Sequence, residues 1–264
     1  MGVKSKISLD AINKLFESYG FVKLTPTSSG IIDTTYILHT KNDSYILKKY
    51  ERDILQKITL DAKLLKTLKA SGLNVPLMLD KKDAWYLYEM LKGDEPKNIK
   101  AYHLQELARF LAKTHLVSWK NSCEVEDTFK NEIKEALNYA KNNYFFYYKK
   151  FEFLKDFTPK NDGIIHGDIF KDNTVFDGGK IGVFDFIDSS CGSFVFDTAV
   201  GLVGFGIKQD NNYAINIFLK TYNQRAIKKI DRNILIKNMK NASHFFALKR
   251  VYEYKNTNKA KELL

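Results

Sequence analysis

One stretch of this 264-residue chain restricts its fold more than any other: Gly163 to Asp188, GIIHGDIFKDNTVFDGGKIGVFDFID. Ile164 and Ile165 read as the end of a short apolar strand, and His166 to Asn173 as a polar loop. Thr174 to Phe176 reads as a strand, Asp177 to Lys180 as a turn, and Ile181 to Phe184 as the returning strand. Asp-Gly between two β-prone runs is a strong hairpin signal. The hairpin returns Asp185 to the end where the loop began, near Asp168 and Asn173. Two carboxylates and an amide oxygen can then meet within a few ångströms. They form a hard-oxygen site suited to Mg²⁺, with one Asp to spare. Taken singly, Asp168 reads as a helix cap, Asn173 as a turn residue and Asp185 as a surface carboxylate. Together, five and 17 residues after Asp168 and across a hairpin, they are hard to explain without a cation.

Composition narrows the classes. At 44% hydrophobic and 14% aromatic residues the chain can bury a real core, which argues against disorder. Its two cysteines, Cys123 and Cys191, form no CxxC and no Cys/His cluster, so a disulfide scaffold is excluded and a zinc site is disfavoured. No apolar run reaches membrane-spanning length, and the N-terminus leads into a charged helix. A soluble cytoplasmic protein, acting as a monomer or homodimer, is the expectation. The net charge of +11 raises nucleic acid as a partner. The basic residues are nearly all lysines spread along helices, however, whereas sequence-specific readers use Arg forks. No nucleic acid and no membrane are therefore expected as partners.

The remaining segments suggest two lobes. Ser8 to Tyr19 has helical spacing with Ser8 as N-cap. Strands follow at Phe21–Leu24, Tyr36–His39 and Tyr45–Tyr50, then a helix over Ile54–Ala70 that stops at Ser71-Gly72. An edge strand begins at Val75-Pro76, and Trp85–Leu91 reads as a buried strand. Between the first two strands, Ser28, Ser29, Gly30, Thr34 and Thr35 offer donors that could close on phosphates. Lys48 and Lys49 take opposite faces of their strand, so one can face solvent and the other an anion. The pattern breaks at Lys92-Gly93-Asp94-Glu95-Pro96, which sets domains at 1–92 and 93–264. The second is mainly helical: Tyr102–Val117, Asp127–Phe157, Phe194–Phe205, Tyr213–Arg225 and Asn233–Tyr254. His115 is expected to be a packed histidine bonded to a loop.

HGDxxxxN followed by a hairpin and FDFID resembles the protein-kinase-like small-molecule kinases, which include aminoglycoside phosphotransferases, choline kinases and the kinase-like homoserine kinases. The set parallels the HRDxxxxN and DFG pair of protein kinases. The resemblance covers most of the chain and is closest to homoserine kinase, through HGDIFKDNTVFDG at 166–178, GIIDTTY at 30–36 and FDTAV at 196–200. It implies an α+β, two-lobed protein-kinase-like fold, with a small antiparallel-sheet N-lobe and a larger, mainly helical C-lobe. It also implies ATP and Mg²⁺ as cofactors. Asp168 would be the catalytic base, and Asn173 and Asp185 would hold the metal. Lys48, with the loop residues Ser29, Gly30 and Thr34, would meet the phosphates. The backbone from Glu89 to Leu91 would read adenine, and Asp197 would tie the loop from beneath. The helix glutamate that usually pairs with the strand lysine is lacking, and Asp61 falls near its place.

For a homoserine substrate, Asp33, Asp172 and Asp188 are candidate partners of the ammonium group, and no carboxylate partner can be named. Choline or ethanolamine remains open, because Tyr144 to Tyr148 could supply an aromatic box. An aminoglycoside would call for an acidic cleft, against which the net charge argues. A non-catalytic nucleotide-binding protein of the same fold would be expected to lack Asp168, Asn173 or Asp185.

Overall fold

The computed structural model describes residues 3–27, 33–119, 129–157, 160–255 and 257–264. The chain divides into two compact units, Met1–Lys92 and Gly93–Leu264.

Unit 1 is built on a five-stranded antiparallel sheet in the order β1-β2-β3-β5-β4: β1 Lys23–Pro26, β2 Thr34–His39, β3 Ser44–Lys49, β4 Met78–Lys82 and β5 Trp85–Glu89. Its core joins Tyr36, Leu38, Leu47, Trp85 and Leu87 of the strands to Ile12 of helix α1 (Leu9–Leu15) and to Phe16, its C-cap. Ser8 caps α1, its hydroxyl accepting from Ala11 N at 3.2 Å. α2 (Leu55–Ala70) buries Ile58, Asp61, Leu65 and Leu68, spaced along one helical face. It ends at Ser71, before Gly72 at φ +77°. β5, between β3 and β4, is buried, as the run of apolar residues predicts. The edge strand differs: β4 begins at Met78, not at Val75-Pro76. Pro76 has no N–H to offer a ladder.

In unit 2, α3 (Ala101–Ser118), α6 (Phe194–Gly204), α7 (Asn212–Asn223) and α8 (Arg232–Tyr254) lie within a residue or two of their predicted bounds. α6 is buried on nearly every side. The helix predicted over Asp127–Phe157 is broken into α4 (Phe129–Asn143), α5 (Phe145–Phe151) and a 3-10 turn at Glu152–Asp156. Tyr144 leaves the helical region at φ −145° and bonds through its hydroxyl to Lys255 O. Composition alone could not show that break, because Asn and Tyr carry only small helix penalties. A short helix, α9 (Asn258–Lys261), closes the chain.

Three pairs of short strands and bridges shape the site's surroundings. β7 (Thr174–Asp177) and β8 (Lys180–Val183) form the predicted hairpin, with Thr174 opposite Val183 and Asp177 opposite Lys180. Gly178 and Gly179 turn it at φ +54° and +81°, the two positive values that a two-residue hairpin turn needs. β6 (Gly163–Ile165) pairs with β9 (Ser190–Gly192), which the sequence did not reveal. A bridge between Asp94 and Phe176 ties the start of unit 2 to the hairpin. Gly93 permits that approach: a Cβ there would lie 2.5 Å from Phe176 O. Cys191, on β9, is disulfide-bonded, which a chain with two cysteines can do without becoming a disulfide scaffold.

Candidate active site

The loop from His166 to Ser189 starts and ends on the paired strands β6 and β9, with Ile165 opposite Ser190. Beneath it lies Asp197, fully buried in the first turn of α6. Its Oδ1 accepts from Gly167 N at 2.8 Å, and its Oδ2 accepts from His166 N at 3.2 Å and pairs with His115 Nε2 at 3.0 Å. A carboxylate can only accept, so Nε2 of His115 carries the hydrogen, and Nδ1 faces the Tyr222 hydroxyl at 2.7 Å. Burial alone would push Asp197 up, but the bond from His115, the fields of His115 and His166 and the Gly167 N–H outweigh it. The carboxyl is held below its ordinary value. Burial, with the charges of Asp197 and Asp162, holds the Tyr222 hydroxyl far above its own. His115 is packed as expected, but its two polar partners lie on α6 and α7 rather than on a loop, and it is Asp197 that ties the loop.

His166 links the two ends of the site. Its Nδ1 accepts from Asp168 N at 3.2 Å and its Nε2 meets Phe184 O at 3.1 Å. Those partners fix the Nε2–H tautomer, and burial holds the ring below its ordinary pKa. The catalytic-loop backbone is thereby fastened to the residue before Asp185. A second tie runs from Phe184 N to Asn173 O at 3.1 Å. Asn173 Nδ2 donates to Asp168 O at 2.8 Å and lies 3.5 Å from Asp168 Oδ2. Asp168, Asn173 and the end of β8 are thus drawn together as the hairpin predicts. Asp185 itself sits at φ +66°, a left-handed conformation that costs a non-glycine residue about 1 kcal/mol or more.

The carboxyl of Asp168 behaves oppositely to that of Asp197. Burial pushes it up to about 7. Lys249 opposes the shift, while Asp185, Asp188 and Asp172 reinforce it. Lys249, on α8, was not singled out by the sequence. Burial would lower its ammonium, but Asp168, Glu132, Glu253 and Asp188 outweigh that and hold it above its ordinary value. Helical period does place Phe246, Lys249, Arg250 and Glu253 on one stripe of α8. What the period cannot say is that this stripe meets the catalytic loop.

Other predicted site residues are distributed as follows. Lys48 pairs across the sheet with Thr35 and Tyr86. Its neighbour Lys49 turns the other way, bonding Ser5 Oγ at 2.8 Å and lying 5.8 Å from the Trp85 ring. Ser29 and Gly30 lie outside the described residues. Thr34 is not poised as a phosphate donor: its buried hydroxyl donates to Glu51 Oε1 at 2.7 Å and accepts from Lys4 N and Ser5 N. Glu89 ends β5, its N–H on Leu77 O and its carboxylate on Lys69 at 2.7 Å, and Leu91 follows beyond the strand. Asp33 accepts from Glu51 N and from Arg52 Nη2, both at 3.0 Å, so this expected ammonium partner already has a cation. Asp172 is exposed and Asp188 half-buried. Asp61 is buried on α2. In the aromatic run, Lys149 lies over the rings of Phe145 and Tyr148, and Lys150 over that of Phe146. Those faces are covered by the chain's own ammonium groups.

Among the described residues, no three His, Cys, Asp or Glu side chains form a metal-binding group. The expected pair, an amide and a carboxylate, is a smaller protein share. Such a share suits Mg²⁺, which keeps several waters and takes substrate phosphates as ligands. The donor chemistry fits: with Nδ2 on the Asp168 carbonyl, Asn173 has Oδ1 as an acceptor, and its backbone is tied to Phe184, the residue before Asp185. The crowding of Asp168 with Asp172, Asp185 and Asp188 is also what a cation would relieve.

The profile of the phosphotransferase enzyme family matches residues 23–221, and the chain belongs to that family. Within it, the chain is a small-molecule kinase of the protein-kinase-like superfamily, with the two-lobed α+β fold of that group. It is 24% identical to a homoserine kinase of Agrobacterium fabrum, over 97% of this chain and 89% of that one. It is 27% identical to a homoserine kinase of Sinorhizobium fredii, over 81% and 74%. Among solved structures, an amicoumacin kinase in complex with AMP-PNP, Ca²⁺ and Ami matches with a TM-score of 0.71 at 13% identity, covering 97% of this chain and 93% of that one. A choline kinase from Streptococcus pneumoniae matches with a TM-score of 0.66 at 18% identity, over 96% and 98%. No helix among the described residues is long and apolar enough to cross a membrane.

Proposed function

We propose that this chain is a homoserine kinase, transferring the γ-phosphoryl group of ATP to the side-chain hydroxyl of L-homoserine to give O-phospho-L-homoserine, for threonine biosynthesis. The observation that carries the reading is the loop geometry. Asp168, Asn173 and Phe184–Asp185 are fastened together by His166 and the Asn173 amide, with Asp197 as their anchor. The relatives named homoserine kinase support the choice of substrate at low identity.

In this reading Asp168 accepts the hydroxyl proton as the substrate oxygen attacks the γ-phosphorus and ADP departs. Its raised carboxyl, near 7, suits a base working at neutral pH. Asn173 and Asp185 would hold Mg²⁺, which would supply neutralisation of charge on the phosphates. Lys48 is the proposed phosphate partner from unit 1, and the backbone at Glu89–Leu91 the proposed adenine reader. Asp172 and Asp188, rather than Asp33, face the role of ammonium partner. The cytoplasm, where ATP is held, is the proposed compartment. Choline and ethanolamine are less well served, because Lys149 and Lys150 cover rings that an aromatic box would need.

A coupled ADP-release assay with Mg-ATP across homoserine, choline, ethanolamine and kanamycin tests the reading. Turnover with homoserine well above the others is expected. Turnover with choline alone sinks it.

A further inference from the structure

α8 lies beyond the residues that match the family profile, yet it borders the catalytic loop. Phe246 packs on Phe170, two residues after Asp168, with ring centroids 4.7 Å apart, and the Arg250 guanidinium lies 5.9 Å from the same ring. Lys249 is on that stripe, half-buried, with Glu253 one turn further at 3.9 Å. α4 runs alongside. Lys255 lies over the Tyr139 ring at 4.1 Å, and the Tyr252 hydroxyl reaches Glu135 at 3.5 Å. One turn earlier on each helix, Glu132 comes level with Lys249. The Lys249 ammonium therefore stands 3.9 Å from Glu253 and within the fields of Asp168, Glu132 and Asp188, in a locality whose acidity contrasts with the chain's net charge of +11.

A locality of carboxylates alone would favour any amino alcohol, including a polyamine sugar. A single half-buried lysine among them changes what fits: a zwitterion can set its ammonium on the acids and its carboxylate on the lysine. Arg250, the neighbouring cation, is paired with Glu262 at 3.1 Å and lies against Phe170.

Resting on the proposed kinase reading, we propose that Lys249 is the specificity residue that receives the substrate's carboxylate, so that the enzyme selects hydroxy amino acids over amino alcohols lacking that group.

The test compares kcat/KM for L-homoserine and for 3-aminopropan-1-ol, which is homoserine without its carboxylate, in the wild type, Lys249→Met and Lys249→Arg. Circular dichroism and Tm serve as controls of folding. The wild type should prefer homoserine. In Lys249→Met that preference should fall about 10- to 100-fold, the range for losing a hydrogen bond to a charged group, mostly through KM. Lys249→Arg should restore part of it. Were Lys249 only to hold Asp168 in its charged form, Lys249→Met would lower both substrates equally and displace the pH profile of each, and the inference would be overturned. A wild type that turns over homoserine without preferring it also overturns the inference, while leaving the kinase reading intact. A wild type that turns over 3-aminopropan-1-ol but no hydroxy amino acid overturns both the inference and the homoserine reading, and leaves only the small-molecule kinase.

Discussion

The region beneath the catalytic loop and the face above it each hold a carboxylate, and the two are handled in opposite ways. Asp197, below, is fully buried and yet held in its charged form. Asp168, above, keeps some exposure and yet is pushed up to about 7. Depth alone predicts the reverse order. Burial raises both, and the difference lies in what answers it: Asp197 accepts from two backbone N–H groups and His115, whereas at Asp168 burial is opposed by Lys249 and reinforced by three other aspartates. One region uses charge to fix structure. The other keeps charge unsatisfied, where a ligand can use it.

Four substitutions and measurements would break or sharpen that contrast. Asp168→Asn should lower turnover about 10³-fold or more while leaving nucleotide binding measurable by calorimetry, because only the proton acceptor is lost. An active variant would mean that the base lies elsewhere. Asp197→Ala should destabilise the protein by about 3–5 kcal/mol in urea unfolding, since it leaves His115 and the N–H groups of His166 and Gly167 without their buried acceptor. A loss under 1 kcal/mol would show that the floor is not held by this carboxylate. Gly204→Ala addresses the contact between floor and loop. A Cβ there would lie 2.8 Å from Phe170 Cα and 2.9 Å from Ile169 O. Stability should fall by about 1–3 kcal/mol, and turnover should fall as the loop shifts. Unchanged kcat would show that the loop tolerates displacement.

The smallest effect is a pH dependence. The folded-state value of Asp168, about 7, lies above its ordinary 3.8. A raised value stabilises the fold below the ordinary pKa, and that contribution is lost as pH rises through 7. In metal-free protein the Asp168 carboxylate therefore opposes folding at alkaline pH, and Asp168→Asn removes the opposition. Its advantage over wild type should grow by about 1–2 kcal/mol between pH 5.5 and 8.5. Thermal unfolding in EDTA measures it, and a pH-independent difference would contradict the crowding above the loop.

Much of this arrangement was legible in the sequence, because a hairpin has a local code. Asp177-Gly178 and the alternation on either side specify β7 and β8, and so the approach of Asp168, Asn173 and Asp185. His115 and Asp197 were readable as packed and structural, though not their shared link to Tyr222, which is 107 residues from His115. Failures occurred where partners are distant or where a polar residue has two uses. Thr34 and Asp33 look like ligand donors in sequence, but Glu51, Arg52 and the N-terminal segment engage them. β9 is three residues long and has no pattern apart from β6. Lys249 is one lysine among many, and only the packing of α8 on Phe170 distinguishes it.

The pairing of β6 with β9 has a consequence for motion. Clasped at its base, the segment between them has its ends already joined, so its opening need not wait on the rest of unit 2. Its internal ties run through His166, Asn173 and Phe184 rather than through neighbours in sequence. Amide hydrogens from 166 to 189 should therefore exchange as one cooperative unit, with a shared opening free energy. The base and both proposed metal ligands would be gained or lost in a single event, and the population of that open state would set an upper limit on the fraction of enzyme ready to react.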